Sequence, residues 1–304
     1  MSNLSDAIVV TYQPDIATLS RLVAALVPQV GTITIIDNGS ANLNEWSNHF
    51  PGDAVEILPQ HANVGIASAI NAGVDAVRRR GAARFAALFD QDSAPSHDMI
   101  DRLEGYCNDL ASRGPVAQVG PYFFEHNRGH HLPFIEFNWG VPRRKHPLGD
   151  ERWTTADYLI SSGSLVPLHA IDMVGPLDDS LFIDYVDIEW GLRAKAAGFQ
   201  SYGAFDVRMD HAIGEKALNL AVVRLAMHKP IRRYYYYRNA LLLCRRSYVP
   251  ISWKIHEIAR LAVKFWIFAL FSKNRLPDVR MMLKGIADGL LGRSGKLRDT
   301  LGPR

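Results

Sequence analysis

Cysteine is scarce in this chain. Cys107 and Cys244 are the only two in 304 residues, too few and too far apart to hold a metal or frame a disulfide scaffold, so two reduced thiols are expected. Long apolar runs are missing as well. No stretch reaches the roughly 18 uninterrupted apolar residues of a spanning helix. The first residues lack a basic segment followed by an apolar one, so no secretory signal is expected. No Gly-x-Gly-x-x-Gly follows the first strand, which argues against a dinucleotide dehydrogenase. Repeats and low-complexity blocks are absent. What remains, 48% hydrophobic and 21% charged residues, is ordinary globular composition, enough for one large domain or two modest ones.

The net charge of +3 hides an asymmetry. Residues 224–304 carry 18 Lys or Arg against 4 Asp or Glu, while residues 1–223 are acidic. A basic tail on an acidic body points to a polyanionic surface, nucleic acid or anionic lipid. The spacing favours lipid. Lys254, Glu257, Arg260 and Lys264 recur every three to four residues as one polar stripe, with Ile251, Ile255, Ile258, Leu261, Ala262 and Phe265 along the rest. Arg280, Lys284 and Asp288 form a second stripe. Basic amphipathic helices carrying Trp253, Phe265, Trp266 and Phe268 suit a lipid interface, although packing on their own domain explains the same pattern. The expected organisation is a domain over 1–223, with halves at about 1–119 and 120–223, then a helical, membrane-associating region over 224–304.

Strand-like runs alternate with helices. Ala7–Tyr12, Thr32–Ile36, Val55–Leu58 and Arg84–Phe89 read as buried strands; Ile16–Leu26 and a segment opened by Asn63-Val64-Gly65 and closed by Gly81 read as helices. This alternation predicts an α/β fold with a mainly parallel sheet flanked by helices. Residues 120–155 carry little periodicity and read as loops and short strands. Phe182–Asp187 should lead into a helix over Ile188–Ala197, followed by a strand pair ending at Met209-Asp210-His211.

The strand Phe85–Phe89 ends in Asp90-Gln91-Asp92. Positions i and i+2 share one face of a strand, so both acids can leave the sheet on the same side. Open α/β sheets bind ligands outside the carboxyl ends of their strands, and two hard oxygen donors there suit a divalent cation and its phosphates. An acid pair at a turn fits the same residues.

Five motifs in order decide between these. Thr11-Tyr12 after the first strand, Asp37-Asn38-Gly39-Ser40, the run from Asn63 and Gly65 through Ala67, Ala69, Asn71 and Gly73, Asp90-Gln91-Asp92 with Ser93, and Asp184-Tyr185-Val186-Asp187-Ile188-Glu189-Trp190 with a late Tyr235-x-x-Arg238-Asn239 together resemble family 2 glycosyltransferases, in particular their bacterial rhamnosyltransferase branch, over roughly 7–243. The resemblance implies a GT-A-type nucleotide-binding sheet and a site for a nucleotide-sugar donor, dTDP-β-L-rhamnose, with Mg²⁺ or Mn²⁺. It places Thr11, Tyr12, Asp37, Asn38, Asn63, Gly65, Asn71, Asp90, Gln91, Asp92 and Arg238 at the donor, with Asp37 holding the base, and Asp90, Asp92 and His211 at the metal. Ser162, Gly163, Asp184, Glu189 and Trp190 fall on the acceptor side. Asp187 takes the position of the catalytic base, with Val186 where the family pattern often has Glu; Asp184 competes for the role. Asp37, Asn63 and Asp187 each also fit plain turn or capping roles, and Arg238 a packed helix.

The expected reaction is inverting transfer to a hydroxyl of a lipid-linked or glycolipid acceptor, at the cytoplasmic face of the inner membrane, with no nucleic-acid partner. A family member using UDP-galactofuranose or UDP-N-acetylglucosamine, or an inactive membrane-bound adaptor, would share most of these residues.

Overall fold

The computed structural model describes residues 4–50, 52–125, 129–138, 141–211, 217–219, 224–226 and 230–297; for residues 125, 138, 211, 217–219 and 224–226 the description covers the backbone alone. The two free cysteines are as expected: Cys107 is buried and Cys244 half-buried.

The first third follows the alternating pattern closely. In chain order come β1 (Ser5–Thr11), α1 (Ile16–Leu26), β2 (Ile33–Asp37), a single turn α2 (Leu43–Trp46), β3 (Val55–Pro59), α3 (Ile66–Arg80) and β4 (Phe85–Asp90). α1 starts where the Asp15 carboxylate accepts from the Thr18 N–H at 2.9 Å, a side-chain cap on an otherwise unpaired donor. α3 ends at Gly81, which adopts a left-handed φ of 71° and so turns the chain back toward the sheet. The predicted helix at Asn63 begins three residues later, at Ile66.

β5 (Ser93–Pro95) and α4 (Met99–Ala111) lead to β6 (Val116–Glu125). Then come β7 (His130–His131), a hairpin of β8 (Phe134–Asn138) and β9 (Val141–Lys145), β10 (Trp153–Ala156), β11 (Leu165–Pro167), α5 (Leu168–Val174), α6 (Val186–Ala196) and β12 (Gln200–His211). The main sheet runs β10-β12-β6-β11-β4-β1-β2-β3. β3, β2, β1 and β4 are parallel; β11 is antiparallel to both of its neighbours. Two expectations are corrected here. β6 is a ten-residue strand inside the sheet, although its Gly120-Pro121 hides it in the sequence. The strand pair expected before His211 is one strand, β12, with its register against β6 interrupted between Ala204 and Arg208.

After the short β13 (Ala217–Asn219) and β14 (Arg224–Ala226), the chain ends in α7 (Pro230–Cys244), α8 (Ile251–Phe271) and α9 (Arg275–Leu290). The helical region was expected from residue 224, but 224–226 form β14 and the helix α7 starts at Pro230; residues 220–223 and 227–229 lie outside the described residues. The three helices share one core with the sheet: Tyr237, Leu243, Trp253, Leu261 and Met282 belong to the same cluster as Ile8, Ile70 and Trp190. α9 lies close against α7 because Gly285 and Gly289 face it; a Cβ on Gly289 would sit 2.9 Å from the Arg238 carbonyl oxygen. Trp253 and Phe268, expected at a lipid interface, are instead buried.

Candidate active site

Parallel pairing brings the carboxyl ends of β1, β2 and β4 to one edge. Thr11 pairs with Asp37 and Val10 with Asp90, so the three motifs stand level. They are tied to one another. The Asn38 side-chain oxygen accepts from Val64 N–H at 2.8 Å, and the Gln91 side-chain oxygen accepts from Tyr12 N–H at 2.7 Å. Tyr12 is exposed at this edge. Asp37, expected to hold the base directly, is fully enclosed: its carboxylate accepts from Ser40 N–H at 2.9 Å and lies 3.4 Å from the Thr11 hydroxyl. It braces the turn under the cleft, which is the Asx-type role the Asp-Asn-Gly run also allowed.

The acidic turn has its own support. Asp90 N–H donates to the Ser162 hydroxyl at 3.2 Å, and that hydroxyl is 2.6 Å from the Ser93 hydroxyl. Gly163 N–H donates to the Leu88 carbonyl at 2.6 Å. Ser162 and Gly163, expected beside the acceptor, thus lie behind the acids and hold them. β5 pairs with β12 so that His211 stands opposite Ser93, the residue after Asp92; the His211 side chain lies outside the described atoms. Among the described residues no three His, Cys, Asp or Glu groups come together as a metal cage. Asp90 and Asp92 still fit a hard divalent cation of the kind that keeps waters and takes phosphate oxygens, because such an ion needs only one or two carboxylates from the protein.

Opposite the turn, residues 180–187 fold in a conformation that costs energy. Phe182, Asp184 and Tyr185 have φ of 67°, 61° and 66° without being glycine, at about 1–2 kcal/mol each. The hold comes from α7. The Asn239 amide donates to the carbonyls of Leu181 at 2.8 Å, Ile183 at 2.7 Å and Asp184 at 3.0 Å. Arg238 donates to the Leu181 carbonyl at 2.9 Å and to that of Gly295. Both residues are fully buried. Arg238 was expected at a phosphate; its guanidinium meets main-chain carbonyls and no open surface, so it is a clamp.

The same loop caps α3. Phe182 carbonyl accepts from Ile66 N–H at 2.8 Å, which spends the first free donor of that helix on protein. Gly65 permits the approach, with a φ of 91° and a would-be Cβ 2.5 Å from that carbonyl oxygen. Asn63 accepts from Gly65 N–H at 3.0 Å as a turn former. Asn71 uses both ends of its amide on the Leu177 backbone, at 2.9 and 3.0 Å. All three were expected at the donor: Gly65 and Asn71 serve the junction between the donor half and the segment 177–182, while Asn63 shapes its own turn.

That loop delivers Asp187 into the first turn of α6, which begins two residues earlier than expected. Asp187 is half-buried and accepts from Ile188 N–H at 2.9 Å. Burial pushes its pKa up to about 6, and the charges of Asp184 and Asp90 push the same way. The Asp90 effect ties the two sides of the cleft together: carboxylates remote in sequence feel each other across it. Asp184 is instead engaged in an ion pair with Arg232 at 3.1 Å. Trp190 lines a small pocket with Asp187 and donates to the Gly175 carbonyl at 3.0 Å, while Glu189 is buried against Arg193 at 2.7 Å. Both were expected to meet the acceptor. Trp190 lies beside the carboxylate in that pocket, and Glu189 anchors α6.

A carboxylate poised near neutrality beside a pair of acids at a sheet edge can take a proton from an alcohol next to a phosphate-bearing ligand. Comparison with known proteins agrees with that chemistry. Residues 6–163 match the profile of Glycosyl transferase family 2. The chain is 30% identical over 290 residues to the dTDP-rhamnosyl transferase RfbF of Shigella flexneri, covering 95% of this chain and 96% of that protein. The fold is similar to that of GalNAc-T7 with UDP, GalNAc and Mn²⁺ (TM-score 0.59, 12% identity, 95% of this chain and 56% of that one). It is also similar to S. aureus TarS residues 1–349 with UDP-GlcNAc (TM-score 0.54, 12% identity, 95% and 81%).

Proposed function

The chain belongs to glycosyltransferase family 2, and from that premise we propose that it transfers L-rhamnose from dTDP-β-L-rhamnose, with inversion, to a hydroxyl of a membrane-held glycan or glycolipid. The single observation that carries the mechanism is Asp187: half-buried, raised to about pH 6 and within reach of the Asp90 charge. The donor choice is supported by the likeness to RfbF over nearly the whole chain.

Asp187 accepts the proton of the acceptor hydroxyl as its oxygen forms a bond to the anomeric carbon. The bond from that carbon to the diphosphate oxygen breaks, and dTDP leaves with the electron pair. One base and no protein nucleophile means one displacement, hence inversion. Asp90 and Asp92, with His211 opposite Ser93 on the paired strand, would hold Mg²⁺ or Mn²⁺, which would supply positive charge for the departing diphosphate. Ser162 fixes the Asp90 turn. Asp37, Thr11 and Asn38 order the edge on which the pyrimidine nucleoside lies, and Tyr12 stands exposed beside it.

The test is a thermal-unfolding panel of dTDP-rhamnose, UDP-galactofuranose and UDP-N-acetylglucosamine with Mn²⁺, followed by release of the nucleoside diphosphate. The expected outcome is selective protection and turnover with the dTDP sugar, lost with a chelator. Protection by a UDP sugar alone overturns the donor assignment, and turnover indifferent to chelation overturns the metal.

A further inference from the structure

α8 turns its polar stripe inward. Glu257, which is 2% exposed, accepts hydrogen bonds from Tyr185 and from Arg260 at 2.6 Å. Lys264 donates to the Tyr236 hydroxyl at 2.6 Å. The side left outside is uncharged from end to end. Ile251, Ile255, Ile258, Val263, Trp266 and Leu270 are all exposed, and their three- to five-residue spacing aligns them along five turns of one helix. α9 extends the band with Leu276, Leu283 and Leu290, exposed at 84%, 52% and 63%. An apolar groove of about 360 Å³ runs between the two helices. A soluble surface rarely leaves so large a contiguous apolar patch uncovered.

Charge around the band has one sign. Glu257, Asp278 and Asp288 are the only acids over residues 251–297, and all three are buried, in pairs with Arg260, Arg233 and Arg293. Lys273, Arg275, Arg280 and Arg293 are exposed. No described helix is long and apolar enough to cross a membrane. An uncharged helical face with a wholly basic rim fits a surface of apolar interior and anionic exterior, entered from the side.

We propose that the α8–α9 face lies in the plane of an anionic bilayer, with Ile255, Val263 and Trp266 at the acyl boundary and Lys273, Arg275 and Arg280 on the headgroups. This deepens the reading of a membrane-held acceptor and rests on that reading for its purpose, while its test needs no acceptor. The Lys254–Lys264 stripe faces the protein, so the basic charge at the headgroups comes from Lys273, Arg275 and Arg280 instead. The inner side of α8 bonds Tyr185, two residues before Asp187. The helix that rests on lipid is therefore the helix that steadies the loop carrying the base.

The test is flotation of the full chain with phosphatidylglycerol-containing vesicles and with neutral phosphatidylcholine vesicles at physiological salt, beside sedimentation without lipid. The expected result is co-flotation with the anionic vesicles, reduced by about tenfold or more in Val263→Glu/Trp266→Glu and severalfold in Lys273→Ser/Arg275→Ser. Both variants alter exposed positions, so unchanged thermal unfolding and unchanged protection by dTDP-rhamnose show that fold and donor site are intact. Failure of that protection in the unaltered protein would strike the donor assignment and leave the membrane result standing. Flotation insensitive to the Val263/Trp266 pair overturns the proposal. So does a lipid-free dimer that the same pair dissociates while no vesicle binds, because the occupant would then be a second copy.

Discussion

The two sides of the cleft hold their carboxylates in opposite ways. Asp90 and Asp92 stand on a turn between two strands, and the support nearest Asp90 is local to the sheet: the Ser162 and Ser93 hydroxyls and the register of β4 with β1. Asp187 stands after a loop with three strained residues, and what holds that loop arrives from α7 and α8, more than fifty positions further on. The acids on the sheet edge need only be presented. The base must be kept partly dry and near two like charges, a state the chain does not adopt unaided. The difference teaches that the C-terminal helices support the loop before the proposed base: their Arg238 and Asn239 offset the backbone cost that puts Asp187 in place.

The largest expected effect lies on the strained side. Asp187→Asn should lower the transfer rate by about 10²–10⁴-fold, the range for loss of a general base, with donor affinity by calorimetry unchanged. It should also reveal a cost. The folded-state pKa of about 6 lies above the ordinary 3.8, so folding opposes ionisation, and the penalty grows as pH rises through that interval. Above pH 6 the Asn variant should therefore be more stable than the unaltered protein, by up to about 3 kcal/mol in urea unfolding, and no more stable near pH 3. Equal rates in the two proteins would remove Asp187 from the chemistry.

Next in size, Asn239→Ala removes one NH2 group, whose two N–H are shared among the carbonyls of Leu181, Ile183 and Asp184, and a carbonyl so orphaned costs about 1–3 kcal/mol. Unfolding free energy should fall by about 3 kcal/mol, and kcat by about tenfold or more as the base drifts. Donor affinity should hold, because the Asp90 turn is held by the Ser162 and Ser93 hydroxyls. A variant that loses donor binding as steeply as kcat would erase the contrast between the two sides.

The sequence discloses these sides unequally for the same physical reason. β1, β2, β3, β4 and α1 were legible because buried parallel strands are short apolar runs with polar stops, and because Asp15 caps locally. The acid turn was legible for its chemistry and its place at a strand end. Arg238 was not, since a guanidinium suits phosphate and carbonyl oxygens alike and only burial tells them apart. Periodicity in α8 gave the polar stripe but not its direction: Tyr185 and Tyr236, which receive it, lie elsewhere in the chain. Gly65 and Asn71 carry motif positions that serve contacts with a segment no local pattern announces: Ile66 N–H with Phe182 and the Asn71 amide with Leu177.

On the sheet-edge side a smaller effect is expected. Ser162→Ala removes the hydroxyl that accepts from Asp90 N–H, a loss of about 1 kcal/mol for one neutral hydrogen bond. Donor affinity should weaken by about fivefold while the pH dependence of the rate stays as it was. If the acid limb of the profile moved as well, the two sides would be coupled more tightly than the separate supports imply.

The smallest effect separates the causes of the Asp187 shift. Rate should fall with acid through a midpoint near pH 6, because the base must be ionised to accept a proton. Burial is the largest cause of that midpoint, and the Asp184 charge is a lesser one. Asp184→Asn removes a like charge and ends the ion pair that the present carboxylate makes with Arg232 at 3.1 Å. Loss of the like charge favours the ionised base, so the midpoint should move to lower pH, by less than it already stands above an ordinary aspartate. No movement would mean that the pocket shared with Trp190 sets the value alone. A collapse to the ordinary carboxylate range would mean that charge, not dryness, tunes the base, and the strained loop would then matter for where it puts Asp184 rather than for how it shelters Asp187.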